Sequence, residues 1–369
     1  MAAGLVVETL HMVPGDGDTS YARNSTFQSG LQSKLKPMIE EAVSSLLNDD
    51  GATANAYCGG MAIADLGCSS GPNTLALVST AVDAVRRLCS ELGQQPPELC
   101  IHLNDLPSND FNSVIRSLAT YIKTQESFSP PVLTSIVPGS FHGRLFNKRS
   151  LHLVCSTASL HWLSKAPEDL VRNGIPFYDR DEAVRRARRS TVIKAYARQF
   201  NDDFTRILHL RAQEMVPGGR MVFSLLGQRS DDDKPESAIL FLEFTNAILH
   251  EMASEGLIDN EKLDSFYIPL YGPSEKELRE IIEAEGSFSI DKMAVHESLD
   301  QNGIVAPEIA ARAVRAVMEP IIAQHFGPSA DAMDEFLRIT EKFIKMSPLD
   351  EFSPSKSNAF VAASLTRRT

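Results

Sequence analysis

The chain has 369 residues, is 43% hydrophobic and 23% charged, and carries a formal net charge of −12. That length and balance fit a globular enzyme built as one large domain or as a core plus a helical cap. The negative charge excludes nucleic acid as the main partner, because phosphate binding needs a basic surface. Five scattered cysteines without a C-x-x-C pair point to reduced thiols and a cytoplasmic setting. With no membrane-length apolar run and no signal-like start, no membrane partner is expected.

In chain order, Pro14, Gly15 and Gly17 make a loop ahead of a helix that starts near Tyr21 or Asn24. Ser20, Tyr21, Asn24, Ser25 and Gln28 give this arm a polar, aromatic face. A helix over 31–48 follows, with Leu31, Leu35, Met38, Ile39, Val43, Leu46 and Leu47 at helical spacing. A polar linker over 48–59 leads to M-A-I-A-D-L-G-C-S-S-G-P-N at 61–73. This stretch reads as a strand over 61–64, Asp65 at its end, a loop bounded by Gly67 and Gly71, and a helix opening at Pro72. Proline suits the first helical position because its missing N–H has no partner there. Strand, tight turn and helix form the opening unit of a nucleotide-type α/β fold.

The loop is neither the full G-x-G-x-x-G fingerprint nor a P-loop. A second strand, 99–103, ends in Asn104-Asp105-Leu106-Pro107, where an acid accepts hydrogen bonds from ribose hydroxyls. Asp65 is placed to neutralise a positive ligand head. A nucleoside with a cationic tail and no required phosphate is S-adenosylmethionine. Taken alone, the loop is equally a structural strand–helix turn.

After Asp105 come a helix carrying Phe111, Val114, Ile115 and Leu118, a Ser/Pro-rich loop at 127–131, and a third strand over 133–137 ending in Pro138-Gly139-Ser140-Phe141. Phe141 is either a stacking partner for adenine or a core residue. A fourth strand, 151–155, runs into S-T-A-S-L-H-W-L-S with Trp162, the single tryptophan. Its indole donates one hydrogen bond and accepts none, so it is a packing residue or a ligand contact. His161 beside it is a base, a donor or a satisfied polar group. Residues 165–190 read as loop-rich and then basic, with R-R-A-R-R at 185–189 as a solvated face. A helix over 191–216 stops at Pro217-Gly218-Gly219, and a fifth strand spans 220–226. Helices over 236–256 and 274–285, a strand over 288–295, helices over 307–325 and 330–346, and a last strand over 359–365 complete the pattern. The alternation implies an α/β fold with a mostly parallel sheet and helices on both faces. Long helical insertions after strands four, five and six read as a specificity cap.

L-H-M-x-x-G-x-G-x-x-S-Y-A-x-N-S, A-D-L-G-C-S-S-G-P-N, L-N-D-L-P-S-N-D-F-N, V-P-G-S-F-H-G-R-L-F, S-L-H-W-L-S and V-P-G-G-R-M-V together resemble the SABATH methyltransferases of plants over nearly the whole chain. These methylate carboxyl groups of small acids, or ring nitrogens in the caffeine pathway. The resemblance implies a Rossmann-like class I methyltransferase core, with a seven-stranded sheet and an α-helical cap. Its expected boundaries are 1–160 (arm and first half of the core), 161–200 (cap), 201–228 (core), 229–275 (cap), 276–298 (core), 299–350 (cap) and 351–369 (last strand). Tyr21, Ser25, Asp65, Cys68, Asn73, Asp105, Leu106, Ser140 and Phe141 would line the S-adenosylmethionine site, with Asp105 on the ribose and Phe141 against adenine. Gln28 and Trp162 would grip the substrate carboxylate, with His161 nearby as a pocket-shaping donor rather than a base.

Family salicylate-type members carry other residues at Val13, Ala158 and His161, whereas S-L-H-W is common in jasmonate and indole-3-acetate types. The expected substrate is a small benzenoid acid such as anthranilate, benzoate or salicylate, with jasmonate or indole-3-acetate as the alternative. Gln28 and Trp162 together speak against the nitrogen-methylating branch. A non-catalytic binder of a small acid is the alternative of a different class. Asp65, Gly67, Gly71, Asn73 and Asp105 are all intact, which favours the enzyme. The resemblance also implies a homodimer and a structural Mg²⁺ held by Asn173, Asp264, the Phe266 carbonyl and Tyr267, the last standing where the family usually has Asn.

Overall fold

A computed structural model of the chain describes residues 11–48, 60–125, 130–228, 239–297, 306–346 and 359–369. The linker expected over 48–59, most of the loop at 127–131 and parts of the later insertions lie outside the described residues.

Among the described residues, seven strands form one sheet: β1 (Met61–Leu66), β2 (Leu99–Asp105), β3 (Val132–Pro138), β4 (Leu151–Thr157), β5 (Met215–Gly227), β6 (Phe288–Glu297) and β7 (Ala359–Arg367). Their order is β3-β2-β1-β4-β5-β7-β6. The first five strands pair in parallel, and β7 lies antiparallel between β5 and β6. This is the expected mostly parallel α/β sheet. Strand order turns back between β1 and β4, and ligands of open α/β sheets bind beyond the carboxyl ends at such a switch point.

Side chains alternate across the sheet, as the two-residue period of a strand dictates. Ala64 and Leu66 of β1, Phe223 of β5 and Ala363 of β7 enter one buried cluster, while Ile63, Val222 and Ala362 enter the other. Every residue of β4 is buried, as a strand covered on both faces requires. Helices α2 (Thr26–Asn48), α3 (Ala76–Glu91) and α4 (Phe111–Gln125) supply the second cluster, including Ile39, Val43, Val78, Val82 and Val114. The first cluster takes Leu170 of α5 (Glu168–Asn173), Phe200 and Phe204 of α6 (Glu182–Glu214) and Ile282 of α9 (Glu275–Glu285). It also takes Leu249 of α7 (Leu240–Ser254), Leu263 of α8 (Asn260–Leu263), Ile322 of α10 (Pro307–Phe326) and Phe336 of α11 (Ala330–Met346). Helix α11 packs against both α10 and α7.

Some boundaries differ from the sequence expectation. A four-residue helix, α1 (Tyr21–Asn24), precedes α2, which opens at Thr26 and not at 31. Pro72–Leu75 is a 3-10 turn, and the α-helix proper begins at Ala76. Helix α6 starts nine residues early, at Glu182 rather than 191, because the Asp181 carboxylate accepts the N–H groups of Ala183 and Val184. An acceptor there satisfies donors that have no partner within the helix. The basic run at 185–189 is therefore helical. Its charges are matched locally: Arg186 to Glu182, Arg188 to Asp179, Arg189 to Glu243, with Arg185 4.5 Å above the Tyr178 ring.

Candidate active site

The loop after β1 turns in a space only glycine fits. Gly67 has φ +76° and Gly71 φ +92°. A Cβ on Gly67 would lie 2.3 Å from Ser159 Oγ, and one on Gly71 2.6 Å from Ala22 Cβ. Backbone strain and close approach thus act together at both positions. Ser69 also adopts positive φ, +53°. It is held on both sides: its N–H donates to Asp105 Oδ2 at 2.6 Å, and Asn109 Nδ2 donates to its carbonyl at 2.9 Å. The N–H groups of Gly67 and Cys68 both donate to the Asn104 carbonyl at 2.9 Å.

The arm closes on this loop. Asn73 Nδ2 donates to the Ser25 carbonyl and Oγ, both at 2.9 Å, and Gln32 Nε2 donates to the Asn73 carbonyl. On the far side, Gly139 N–H donates to the Asp105 carbonyl, which seats Ser140 and Phe141 beyond the end of β3. Leu106 N–H donates to Asp105 Oδ1 at 2.8 Å. The structure therefore brings Tyr21, Ser25, Asp65, Cys68, Asn73, Asp105 and Leu106 to one place at the switch point, with Ser140 and Phe141 on the adjoining loop.

Two carboxyl groups share this buried space. Burial, reinforced by the Asp105 charge, pushes Asp65 up to about 8. Burial raises Asp105 less, to about 6, because the N–H groups of Ser69 and Leu106 favour its charged form. Tyr21 is raised by burial and by Asp105, and Cys68 by burial and by both acids. Asp65 Oδ1, Ser69 Oγ and Gln28 Oε1 are buried with no partner among the described residues. Buried polar atoms need partners, so this set fits a polar, cationic ligand: Asp65 for a positive group and the remaining lone pairs of Asp105 for hydroxyls.

Past β4, Ser159 Oγ donates to the Gly67 and Thr157 carbonyls, tying the His161-Trp162 segment to the loop. Trp162 pairs with Leu270 as an isolated bridge, and Tyr271 N–H donates to the His161 carbonyl. His161 is buried, and its Nδ1 accepts the Leu226 N–H at 3.0 Å. That bond places the ring proton on Nε2, and burial lowers the ring to about 3. His161 is a neutral donor.

The four magnesium positions fit the ion poorly. The Tyr267 hydroxyl donates to the Ile175 carbonyl at 2.8 Å, and burial raises its pKa, keeping the phenol protonated. Asn173 donates its amide N–H to the Asp169 carbonyl, which leaves Oδ1 as its ligating atom. With the phenol committed, one carboxylate and two neutral carbonyl oxygens remain, a weak set for a cation that takes six oxygens in octahedral geometry. Among the described residues no group of three His, Cys, Asp or Glu is arranged to hold a metal. Sequence reasoning missed Asn104, Asn109 and Ser159 as loop-holding residues, although the first two flank Asp105 in L-N-D-L-P-S-N-D-F-N.

Residues 7–368 match the family model described as SAM-dependent carboxyl methyltransferase. A probable jasmonic acid carboxyl methyltransferase of Theobroma cacao is 40% identical over 354 residues, covering 91% of this chain and 93% of that one. A caffeine synthase of Camellia sinensis is 40% identical over 333 residues, covering 89% of each. A solved loganic acid methyltransferase with S-adenosylhomocysteine superposes with a TM-score of 0.83 at 32% identity, covering 97% of this chain and 99% of that one.

Proposed function

The chain belongs to the S-adenosylmethionine-dependent carboxyl methyltransferases, and from that premise we propose that its acceptor is a jasmonate-like carboxylic acid that arrives already ionised. One observation carries the reading: His161 Nδ1 is committed to the Leu226 N–H. With Gln28 and Trp162, His161 then offers an N–H donor to the acceptor and is not itself poised to take a proton. A carboxylic acid needs no base, since its unperturbed pKa is about 4. A xanthine N–H would need one. The name of the Theobroma relative supports a jasmonate-type acid. The benzenoid acid that the sequence put first has no comparable support among these relatives.

Bound S-adenosylmethionine supplies an electrophilic methyl group on a sulfonium. In the proposed arrangement Asp65 faces the positive end of the cofactor and Asp105 its ribose. Gln28 Nε2–H, the Trp162 indole N–H and His161 Nε2–H aim one carboxylate oxygen at the methyl group. Neutral donors orient an anion without the deep well of an arginine clamp, which would blunt the nucleophile. Alignment is then the main source of acceleration. Methyl transfer from labelled cofactor to jasmonate, indole-3-acetate, benzoate, salicylate, anthranilate and a xanthine is expected to give methyl jasmonate as the chief product. Ester from a benzenoid alone would reverse the substrate order, and a methylated xanthine would overturn the carboxylate reading. His161→Asn is expected to keep kcat within about tenfold at every pH; collapse across the pH range would make His161 catalytic.

The same reading extends to self-association. Helix α4 packs beside the edge strand β3, and Ile115, Ile122 and Leu133 of these elements are exposed. A homodimer through this face would cover them. Sedimentation of the wild type against Ile115→Glu tests it.

A further inference from the structure

The loop from β3 to β4 carries Ser140 and Phe141, and its own backbone pairing between 139 and 146 is slight: Gly143 N–H to the Ser140 carbonyl. Instead it is held by the last turns of α6. Arg206 Nε donates to the His142 carbonyl at 3.0 Å. Arg211 Nη2 donates to the Gly143 carbonyl at 2.8 Å, and Nη1 lies 3.4 Å from the Phe141 carbonyl. Three successive carbonyls thus face guanidinium groups of one helix. The carboxylate partner serves the opposite need: Glu214 Oε1 accepts the N–H groups of Leu145 at 2.7 Å and Phe146 at 3.1 Å. Arg211 and Glu214 are themselves paired, Nε to Oε2 at 2.7 Å, with both side chains fully buried. The carbonyls of Gln213 and Glu214 then receive the N–H groups of Arg149 and Ser150.

A buried ion pair gives little net stability compared with an apolar pair of the same volume. What this one supplies is sign matching. A forked cation takes the carbonyls, an anion takes the N–H groups, and each neutralises the other. An apolar pair would leave those backbone groups unsatisfied.

We propose that Arg211 and Glu214 are positioning residues for the cofactor: the pair fixes the path of 141–146 and with it the place of Ser140 and Phe141. The proposal rests on the reading of Ser140 and Phe141 as the adenine wall. It assigns α6 a task in the binding step separate from its packing.

Arg211→Lys keeps the charge opposite Glu214 but loses the fork that reaches two carbonyls. Binding of S-adenosylhomocysteine by calorimetry and steady-state kinetics test it. The expected result is a Kd and a cofactor KM at least fivefold higher in Arg211→Lys, with acid KM and kcat at saturating cofactor within twofold. A variant of lowered Tm but unchanged cofactor Kd overturns the positioning role. Phe141→Ala is the reference: wild-type affinity in that variant would instead overturn the adenine-wall reading. Hydrogen exchange of the wild type decides the matter if Arg211→Lys fails to fold. The Leu145 and Phe146 amides are expected to exchange slowly and to slow at least tenfold further on S-adenosylhomocysteine binding. Rates unchanged by that ligand overturn the proposal.

Discussion

Asp65 keeps a proton at neutral pH that an ordinary aspartate has lost, since burial and Asp105 hold it near 8. The folded protein therefore binds a proton that the unfolded chain releases. Below about pH 4 this group adds to stability; the contribution is lost as pH rises through 8. Asp65→Asn is expected to flatten the decline of Tm between pH 4 and 8 in the ligand-free protein. A cationic ligand reverses the preference, so cofactor binding at pH 7 is expected to release up to about one proton. Calorimetry in buffers of different ionisation enthalpy measures that release, which disappears in Asp65→Asn. His161 behaves oppositely. Its ring is lowered to about 3, so its contribution is present above about pH 6.5 and lost as pH falls toward 3.

Among the elements, the glycine loop separates two penalties. Gly93 has φ +66° with nothing within 4 Å of an added Cβ, whereas Gly67 combines φ +76° with a 2.3 Å clash. Gly93→Ala is expected to cost about 1–2 kcal/mol, the left-handed penalty alone. Gly67→Ala is expected to cost clearly more and to abolish cofactor binding; urea melts with a calorimetric titration distinguish the two. At α9, Ser274 and Glu277 form a reciprocal capping box. Ser274→Ala is expected to lower stability by about 1 kcal/mol. The Tyr267 hydroxyl joins its segment to the Ile175 carbonyl, so dialysis against chelator is expected to leave Tm and activity unchanged. These elements also mark how far the sequence could be read. Apolar period and Gly/Pro stops located every strand, because those signals are local. The start of α6 was hidden in a charged stretch, where helix and loop look alike until Asp181 is seen to cap it. Asp65, Asp105 and the glycines were legible from their place at strand ends. Asn109, Ser159, Arg211 and Glu214 were not, because what they hold lies far away in sequence.

For the whole molecule, the decisive feature is one sheet fed from both ends of the chain. Tyr21 N–H donates to the Val13 carbonyl, and Val13 N–H donates to the Ala316 carbonyl of α10, so the arm spans from the loop after β1 to the late helices. Removing residues 11–20 is expected to weaken cofactor binding at least tenfold while far-ultraviolet circular dichroism stays near that of the intact protein. Among the described residues no helix is long and apolar enough to cross a membrane.

Strand β7 sits between β5 and β6, bonded to both. During synthesis, β5 therefore emerges with one edge bare and waits for everything from 228 to 358 to be made. At ~5–20 residues per second that wait is on the order of ten seconds. An unpaired strand edge is a template for pairing with another chain. Yield from a cell thus depends on chaperone capacity and translation speed across this interval, and slow codons placed there would lower it without changing a single side chain.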